Sequence, residues 1–98
     1  MAYYEVNVPM RSVAGNRGVH VFTGMATDPG SAIRIAQQTY RAAQVAQQAG
    51  RAIPGKSPDG WGARGYRPGW QLDWRSATAA LWRDLHGWPH RGAIRIAY

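Results

Sequence analysis

The side chains best suited to chemistry recur within residues 28–51. Arginine and glutamine return there at three- and four-residue steps, as Arg34, Gln37, Arg41, Gln44, Gln48 and Arg51. Steps of this size place side chains on one face of a helix, here named the Arg/Gln stripe. Arginine neutralises phosphate, glutamine can read a base edge, and a helix of this length fits a major groove. An ordinary solvated face, or a face packed on a second subunit, is the alternative interpretation.

A second candidate lies in residues 61–70, where aromatic rings alternate with arginines and glycines. The aromatic rings are Trp61, Tyr66 and Trp70, the arginines are Arg64 and Arg67, and Trp61 and Tyr66 are the candidates for stacking. Single-stranded nucleic acids bind such mixtures, because each stacked base contributes roughly 1–3 kcal/mol and arginine attracts the phosphates. Two other interpretations stay open: tryptophans that fill the domain's own core, and a protein-binding hot spot, where Trp, Tyr and Arg are enriched.

Two further arginines, Arg11 and Arg17, flank a run that is rich in turn formers. This run contains Gly15, Asn16 and Gly18. A turn between two strands places its flanking side chains near the tip of a hairpin. We therefore expect both arginines to project from the body of the domain and to act together with the Arg/Gln stripe.

Patterns for catalysis and metal binding are missing from the sequence. His86 and His90 are four residues apart, but Gly87 and Pro89 break the helix that would align them. The chain has no cysteine, which excludes disulfides, thiolate metal sites and cysteine nucleophiles. It also lacks a Gly-Lys-Ser phosphate cradle, a Gly-x-Ser-x-Gly elbow and any paired carboxylates. We expect no enzyme activity, no catalytic residue, no metal and no cofactor.

Length and composition set limits for the whole chain. Its 98 residues suffice for one domain with one modest core. The net charge is +7, from eleven Arg and one Lys against five acids, and this favours an anionic partner. A high-GC genome also favours Arg over Lys, and this style fits a phage or mobile element of a high-GC bacterium. Codon usage does not explain the scarcity of acids.

The first residues do not form a basic region followed by an apolar run, so they do not read as a signal peptide. No window approaches the ~18 apolar residues that a membrane span needs. We expect a soluble, cytoplasmic protein without a membrane partner.

The elements that position these residues begin with two strands. Residues 2–10 and 19–25 alternate β-branched or aromatic side chains with others, and the short Gly/Asn loop between them favours an antiparallel hairpin. A helix over residues 29–49 follows, with Thr27 or Asp28 as its cap and Gly50 as its stop. Its other face should cover the hairpin, and consists of Ile33, Ala36, Tyr40, Ala43 and Gln47.

Residues 50–72 are too rich in Gly and Pro for a regular element, but their aromatic side chains indicate a loop that packs down. A second helix is predicted over residues 73–86, with Asp73 as its cap. Its apolar face would consist of Trp74, Ala77, Leu81 and Leu85. Residues 92–98 alternate and predict a third strand. The expected fold is a single α+β domain, residues 1–98, of order β-β-α-loop-α-β, with a small antiparallel or mixed three-stranded sheet and two helices on one face.

The sequence thus predicts a small non-enzymatic nucleic-acid-binding protein that contacts the phosphate backbone through arginines, with DNA favoured over RNA. The predicted binding residues are Arg11, Arg17, Arg34, Gln37, Arg41, Gln44, Arg51, Arg64, Arg67, Trp61 and Tyr66. The alternative is a structural or inhibitory protein-interaction module, which would bind a protein partner or a second copy through the Trp-rich loop and the second helix.

Overall fold

The computed structural model describes residues 1–82 and the backbone of Arg95–Ile96. Its elements are β1 (Ala2–Ser12), β2 (Arg17–Ala26), α1 (Pro29–Gln48), β3 (Trp70–Leu72), a 3-10 helix (Trp74–Ser76), β4 (Thr78–Leu81) and β5 (Arg95–Ile96). Strands β1 to β4 form an antiparallel sheet, in which β1 pairs with β2 on one side and with both β3 and β4 on the other. The predicted α+β class is confirmed. The described part has four antiparallel strands and one α-helix, where three strands and two helices were expected.

The predicted hairpin of β1 and β2 is confirmed, with Ala2 opposite Ala26 and Arg11 opposite Arg17. Alternate side chains of β1 are buried on one face of the sheet, namely Tyr4, Val6, Val8 and Met10. Three of these four join the core cluster with Ala36 and Tyr40 of α1, so we name this the helix face and the other the reverse face. Because paired residues of adjacent strands point the same way, Arg11 and Arg17 both belong to the reverse face.

The helix α1 begins and ends close to the predicted residues. The Asp28 carboxylate accepts the backbone N–H of Ser31 at 2.8 Å, and this bond holds the pKa of Asp28 below its usual value. Pro29 occupies the first turn, where its missing N–H costs nothing. Gly50 follows the last turn with φ of +72°, the left-handed conformation that ends many helices.

The buried side of α1 is made almost entirely of alanine. It consists of Ala32, Ala36, Tyr40, Ala43 and Ala46. Small side chains bring the helix close to the sheet, and Tyr40 is the one large residue among these five. Of the other predicted members of this face, Ile33 is half-buried and Gln47 is exposed.

The Gly/Pro-rich segment between α1 and β3 packs on the sheet through Trp61. The indole is only 3% exposed, and its Nε1–H donates to the carbonyl oxygen of Met25 at 2.9 Å. It lies where a Cβ on Gly24 would overlap the ring, so the glycine makes room for the tryptophan. The carbonyl of Asp59 accepts the Met25 N–H at 2.9 Å, so this N–H at the edge of β2 has a hydrogen-bond partner. Trp61 therefore fills the chain's own core, as one of the three interpretations predicts.

The second helix predicted over residues 73–86 is wrong over residues 73–82. Trp74–Ser76 form one turn of 3-10 helix and Thr78–Leu81 form β4, while residues 83–86 lie outside the described part. The apolar spacing of Trp74, Ala77 and Leu81 fits an α-helix. A 3-10 turn places side chains three residues apart on the same side, so the same spacing also arises when such a turn leads into a strand.

Strands β3 and β4 pair with the same side of β1 and together form one edge of the sheet. They are interrupted by residues 73–77, which we name the excursion. Two residues of β1 stand opposite the five residues 73–77, so the edge contains three extra residues. The Asp73 N–H donates to the carbonyl of Pro9 at 2.8 Å and keeps the excursion attached to β1. Leu72 of β3 and Leu81 of β4 both pack against the core on either side of it.

The last strand, β5, pairs in parallel with Val19 and His20 of β2. This agrees with the predicted strand beside the hairpin over residues 95–96, and the rest of residues 92–98 lies outside the described part. Within residues 1–82, no helix combines the length and the apolar character that crossing a lipid bilayer requires.

Candidate functional site

Three surface cavities surround β3, a short strand that the sequence did not predict. Their volumes are about 390, 390 and 510 Å³, within the ~300–1,000 Å³ range of small-molecule sites. Gln71 lines all three, and its neighbour Trp70 lines two. We name this group of cavities the β3 site. The β3 site extends from the hairpin tip to α1.

The first cavity contains Arg11 and Arg17, which face each other across the hairpin. Gln71 of β3 stands opposite Arg11 on its other side, so the three side chains form a row across three strands. Directly opposed side chains have Cβ atoms about 4.5–5.5 Å apart, and like charges at that distance destabilise the sheet. Both arginines are exposed, and together they form a concentrated positive charge.

One carboxylate, that of Asp73, lines the same cavity. It caps the 3-10 helix, since its oxygens accept the backbone N–H of Ser76 at 3.3 Å and the Ser76 hydroxyl at 2.8 Å. The cavity therefore holds two guanidinium groups against one carboxylate that already accepts two hydrogen bonds.

The other carboxylates of residues 1–82 also accept hydrogen bonds from neutral neighbours. Glu5 accepts from the Asn7 amide, Asp28 from Ser31, and Asp59 from the Ser57 hydroxyl. These acids serve local structure at positions away from the β3 site, so they do not offset the charge of Arg11 and Arg17.

The second cavity is a groove between α1 and the edge of the sheet. One wall comes from the Arg/Gln stripe, with Gln37, Arg41 and Gln44, and the other from the rings of Trp70 and Trp74. The ring of Trp74 lies 5.6 Å from that of Phe22 and 6.2 Å from that of Tyr40, measured between centroids, so the core fixes its position. We name this cavity the tryptophan groove.

The third cavity lies beyond Trp70, on the side of the hairpin tip. Arg11, Val13 and Gly69 line it, together with Trp70 and Gln71. Val13 at the tip is 91% exposed. Trp70 is half-buried and borders this cavity as well as the tryptophan groove, with Arg41 on one side and Arg11 on the other.

Titratable rings behind the groove are neutral near pH 7. Burial, assisted by the charge of Arg67, lowers the pKa of His20 to about 4. Burial, assisted by the neighbouring Tyr66, raises the pKa of Tyr40 to about 12. The His20 ring stacks on Phe22 with centroids 4.6 Å apart, and stands edge-on to Tyr40 at 5.5 Å. These rings support the groove without adding charge to it.

The remaining predicted binding residues lie elsewhere. Trp61 is in the core, and Tyr66 is half-buried with its ring 5.2 Å from that of Tyr40. The predicted arginines outside the three cavity linings, all of them exposed, are Arg34, Arg51, Arg64 and Arg67. The guanidinium of Arg34 donates to the Ser31 hydroxyl at 2.9 Å. The structure thus brings together five of the predicted residues, namely Arg11, Arg17, Gln37, Arg41 and Gln44.

Sequence reasoning missed the centre of the site, which is β3. Trp70 and Leu72 alternate with Gln71 directly after Pro68 and Gly69. A turn signal followed by an aromatic, a polar and an apolar residue is typical of the start of a strand. Three residues are too few for that pattern to stand out beside the surrounding glycines and prolines.

The described part of the chain contains no candidate metal site. Residues 1–82 hold no group of three or more His, Cys, Asp or Glu side chains placed to share an ion, and His86 and His90 lie outside that part.

Comparison with protein-family models, curated proteins and solved structures gives no significant match. The function must therefore be argued from the residues of the β3 site themselves.

Proposed function

We propose that this protein is a non-enzymatic nucleic-acid-binding protein that contacts the phosphate backbone through the β3 site. The observation that carries the proposal is the opposed pair Arg11 and Arg17, which shares a cavity with Gln71 and the locally bonded Asp73. Arg41 lines the tryptophan groove on the helix face, across the edge of β3 from this pair, and adds a third guanidinium group to the site.

The energetic argument concerns the charge pair. Two guanidinium groups opposed across a hairpin repel each other, and a phosphate between them converts this repulsion into two attractive contacts. Guanidinium also binds phosphate in a planar, bidentate manner. A polyanion is the natural ligand for such a surface on a chain of net charge +7.

The other predicted arginines have a lesser part in the proposal. Arg34, Arg51, Arg64 and Arg67 are exposed and add to the long-range field. Charges outside the contact surface raise the rate of encounter more than the lifetime of the complex.

The alternative, a protein-interaction module, has lost part of its expected interface. That interface combined the Trp-rich loop with a second helix, yet Trp61 is in the core and residues 78–81 form a strand. A protein partner or a second copy of the chain remains an outcome for the experiments to reveal.

The test is a salt titration of binding to short labelled oligonucleotides, followed by fluorescence anisotropy. We expect affinity to fall steeply with salt, with a log–log slope of about −0.7 to −0.9 for each neutralised phosphate. Replacing both Arg11 and Arg17 by Gln should make that slope shallower by about 1.4 to 1.8. The matched control is Arg75→Gln, which removes an exposed arginine that lines none of the three cavities.

Absence of binding at about 50 mM salt, where phosphate contacts are strong, would overturn the proposal. An equal loss of affinity per arginine removed, for the Arg75 control and for the double replacement, would show that the arginine pair has no special part in binding. A concentration-dependent oligomer in light scattering, without nucleic acid and without binding, would favour the protein-interaction alternative.

A further inference from the structure

Among the tryptophans of residues 1–82, Trp70 is the one best placed for a ligand. Trp61 is buried under Gly24, and Trp74 packs against Phe22 and Tyr40. Trp82 is 41% exposed, but it stands edge-on to Tyr3 and lines none of the three cavities. Trp74 is half-buried and lines the tryptophan groove as well, but its ring is held by Phe22 and Tyr40, whereas Trp70 borders two of the three cavities.

Trp70 lies opposite Ser12 on the helix face, whereas Arg11, Arg17 and Gln71 lie on the reverse face, so a ligand that reaches both positive groups passes over the edge of β3. In the tryptophan groove Trp70 faces a wall that includes Arg41, and in the third cavity it adjoins Arg11. Each cavity is large enough to admit part of a nucleotide, at about 390 and 510 Å³. An aromatic ring flanked by guanidinium groups is the arrangement that holds a stacked base while its phosphates are neutralised.

The ring of Trp70, rather than α1, favours a single strand over a duplex. The exposed surface of α1 carries the polar side chains of Arg34, Gln38, Arg41 and Gln48 as well as Ala42 and Val45. Bases inside a duplex already stack on one another, and exposing one costs free energy, whereas an unpaired base is free to stack on an aromatic side chain.

We propose that the β3 site takes single-stranded nucleic acid, with one base stacked on Trp70 and the flanking phosphates at Arg41 on one side and at Arg11 and Arg17 on the other. This inference rests on the proposed function and goes beyond it by naming the strand class and the stacking residue. Gln37, Gln44 and Gln71 line the path with amides that can bond to exposed base edges.

The experiment compares wild-type protein with three variants, Trp70→Ala, Trp70→Phe and Trp82→Ala. The probes are an oligothymidylate and an oligouridylate of about 12 nucleotides, within the ~4–16 nucleotide range of single-strand sites, and a duplex of the same length. Far-UV circular dichroism checks the fold of each variant. The wild-type preference for single strands over duplex is measured first, since it tests the inference even if a variant is poorly folded.

We expect wild type to prefer one or both single strands. Loss of one stacked base, worth roughly 1–3 kcal/mol, should make Trp70→Ala bind about 5- to 150-fold more weakly. Trp70→Phe should retain most of the affinity because a ring remains, and Trp82→Ala should bind as wild type does. The ratio between the two single strands separates DNA from RNA as the source of the ligand.

Equal binding of duplex and single strands, or unchanged affinity of a folded Trp70→Ala, would overturn the single-strand inference. If the Arg11 and Arg17 replacements still weakened binding, the proposed function would stand. Failure of every probe to bind wild type would instead overturn both.

Discussion

Trp61 and Trp70 belong to the same Gly/Pro-rich stretch of sequence but to two different regions of the molecule. Trp61 lies in the packed region, with its ring over Gly24 and its N–H bonded to Met25. Trp70 lies on β3, opposite Ser12 at the hairpin tip, and stays half-buried between two cavities.

The difference shows that the partner strand decides the role of a tryptophan. Gly24 leaves room for an indole directly on the sheet, and a carbonyl is positioned to accept its N–H. Trp70 lies on β3, a strand at the edge of the sheet whose one neighbour in the strand order is β1. The contacts of Trp61 stabilise the fold. The β3 site exposes like charges and an aromatic ring, and this lowers the stability of the fold.

The largest effect is expected from the packed region. Trp61→Ala should lower the free energy of unfolding by about 3–5 kcal/mol, because it leaves a cavity and an unpaired Met25 carbonyl. Urea unfolding followed by circular dichroism measures the change. Gly24→Val should be similarly damaging, since its side chain would occupy the space of the indole. A loss below about 1 kcal/mol for both variants would contradict the role given to this contact.

The second prediction concerns His20, whose folded-state pKa of about 4 lies below its ordinary value of 6.5. The unfolded chain binds a proton between these values and the folded chain does not, so stability is unaffected above 6.5 and falls as the pH drops toward 4. The difference should reach roughly 2 kcal/mol near pH 5.

His20→Phe provides the comparison for that pH dependence, because it keeps a ring against Phe22. The wild type should lose more stability than the variant between about pH 7 and pH 5, as measured by urea unfolding. Parallel profiles for the two proteins would show that His20 is not kept neutral by the fold.

The third prediction sharpens the contrast between the two tryptophans. Trp70→Ala should lower the free energy of unfolding by only roughly 1–2 kcal/mol, because a half-buried ring gives up fewer contacts. The same urea experiment measures it. A loss as large as that of Trp61→Ala would place Trp70 in the core and remove the contrast.

The smallest effect is expected at the hairpin tip, and it has the opposite sign. Arg17→Glu replaces a repulsive cross-strand pair with an attractive one, so the free energy of unfolding should rise by about 0.2–1 kcal/mol. Salt should reduce this gain, because the groups are exposed. A stabilised variant that binds nucleic acid more weakly would show that the tip is built for binding. Unchanged stability at low salt would show that the side chains at positions 11 and 17 point away from each other.

Local signals in the sequence were sufficient for the hairpin and α1. The alternation of β1, the cap at Asp28 and the stop at Gly50 are each decided by residues within a few positions. The edge strand was not predictable in this way, because Trp74, Ala77 and Leu81 fit a helix as well as a turn that leads into a strand. Only the pairing of β4 with β1, a contact distant in sequence, decides between them.

The candidate site was likewise predictable only in part. Arg11, Arg17 and Arg41 were predicted from their types and spacing, since solvent exposure of arginine is easily anticipated. Their grouping depends on β3, which brings the hairpin tip next to α1. The burial of Trp61 depends on a glycine in another strand, and no pattern within residues 61–70 contains that information.

The excursion between β3 and β4 also reverses the alternation of the strand. Leu72 and Leu81 are nine residues apart, which would place them on opposite faces of an unbroken strand, yet they lie opposite Met10 and Tyr4, two residues on the same face of β1. The odd number of extra residues is what returns Leu81 to the core. Because residues 73–77 have no register partner on β1, changes in their number should be absorbed there while β4 keeps its register.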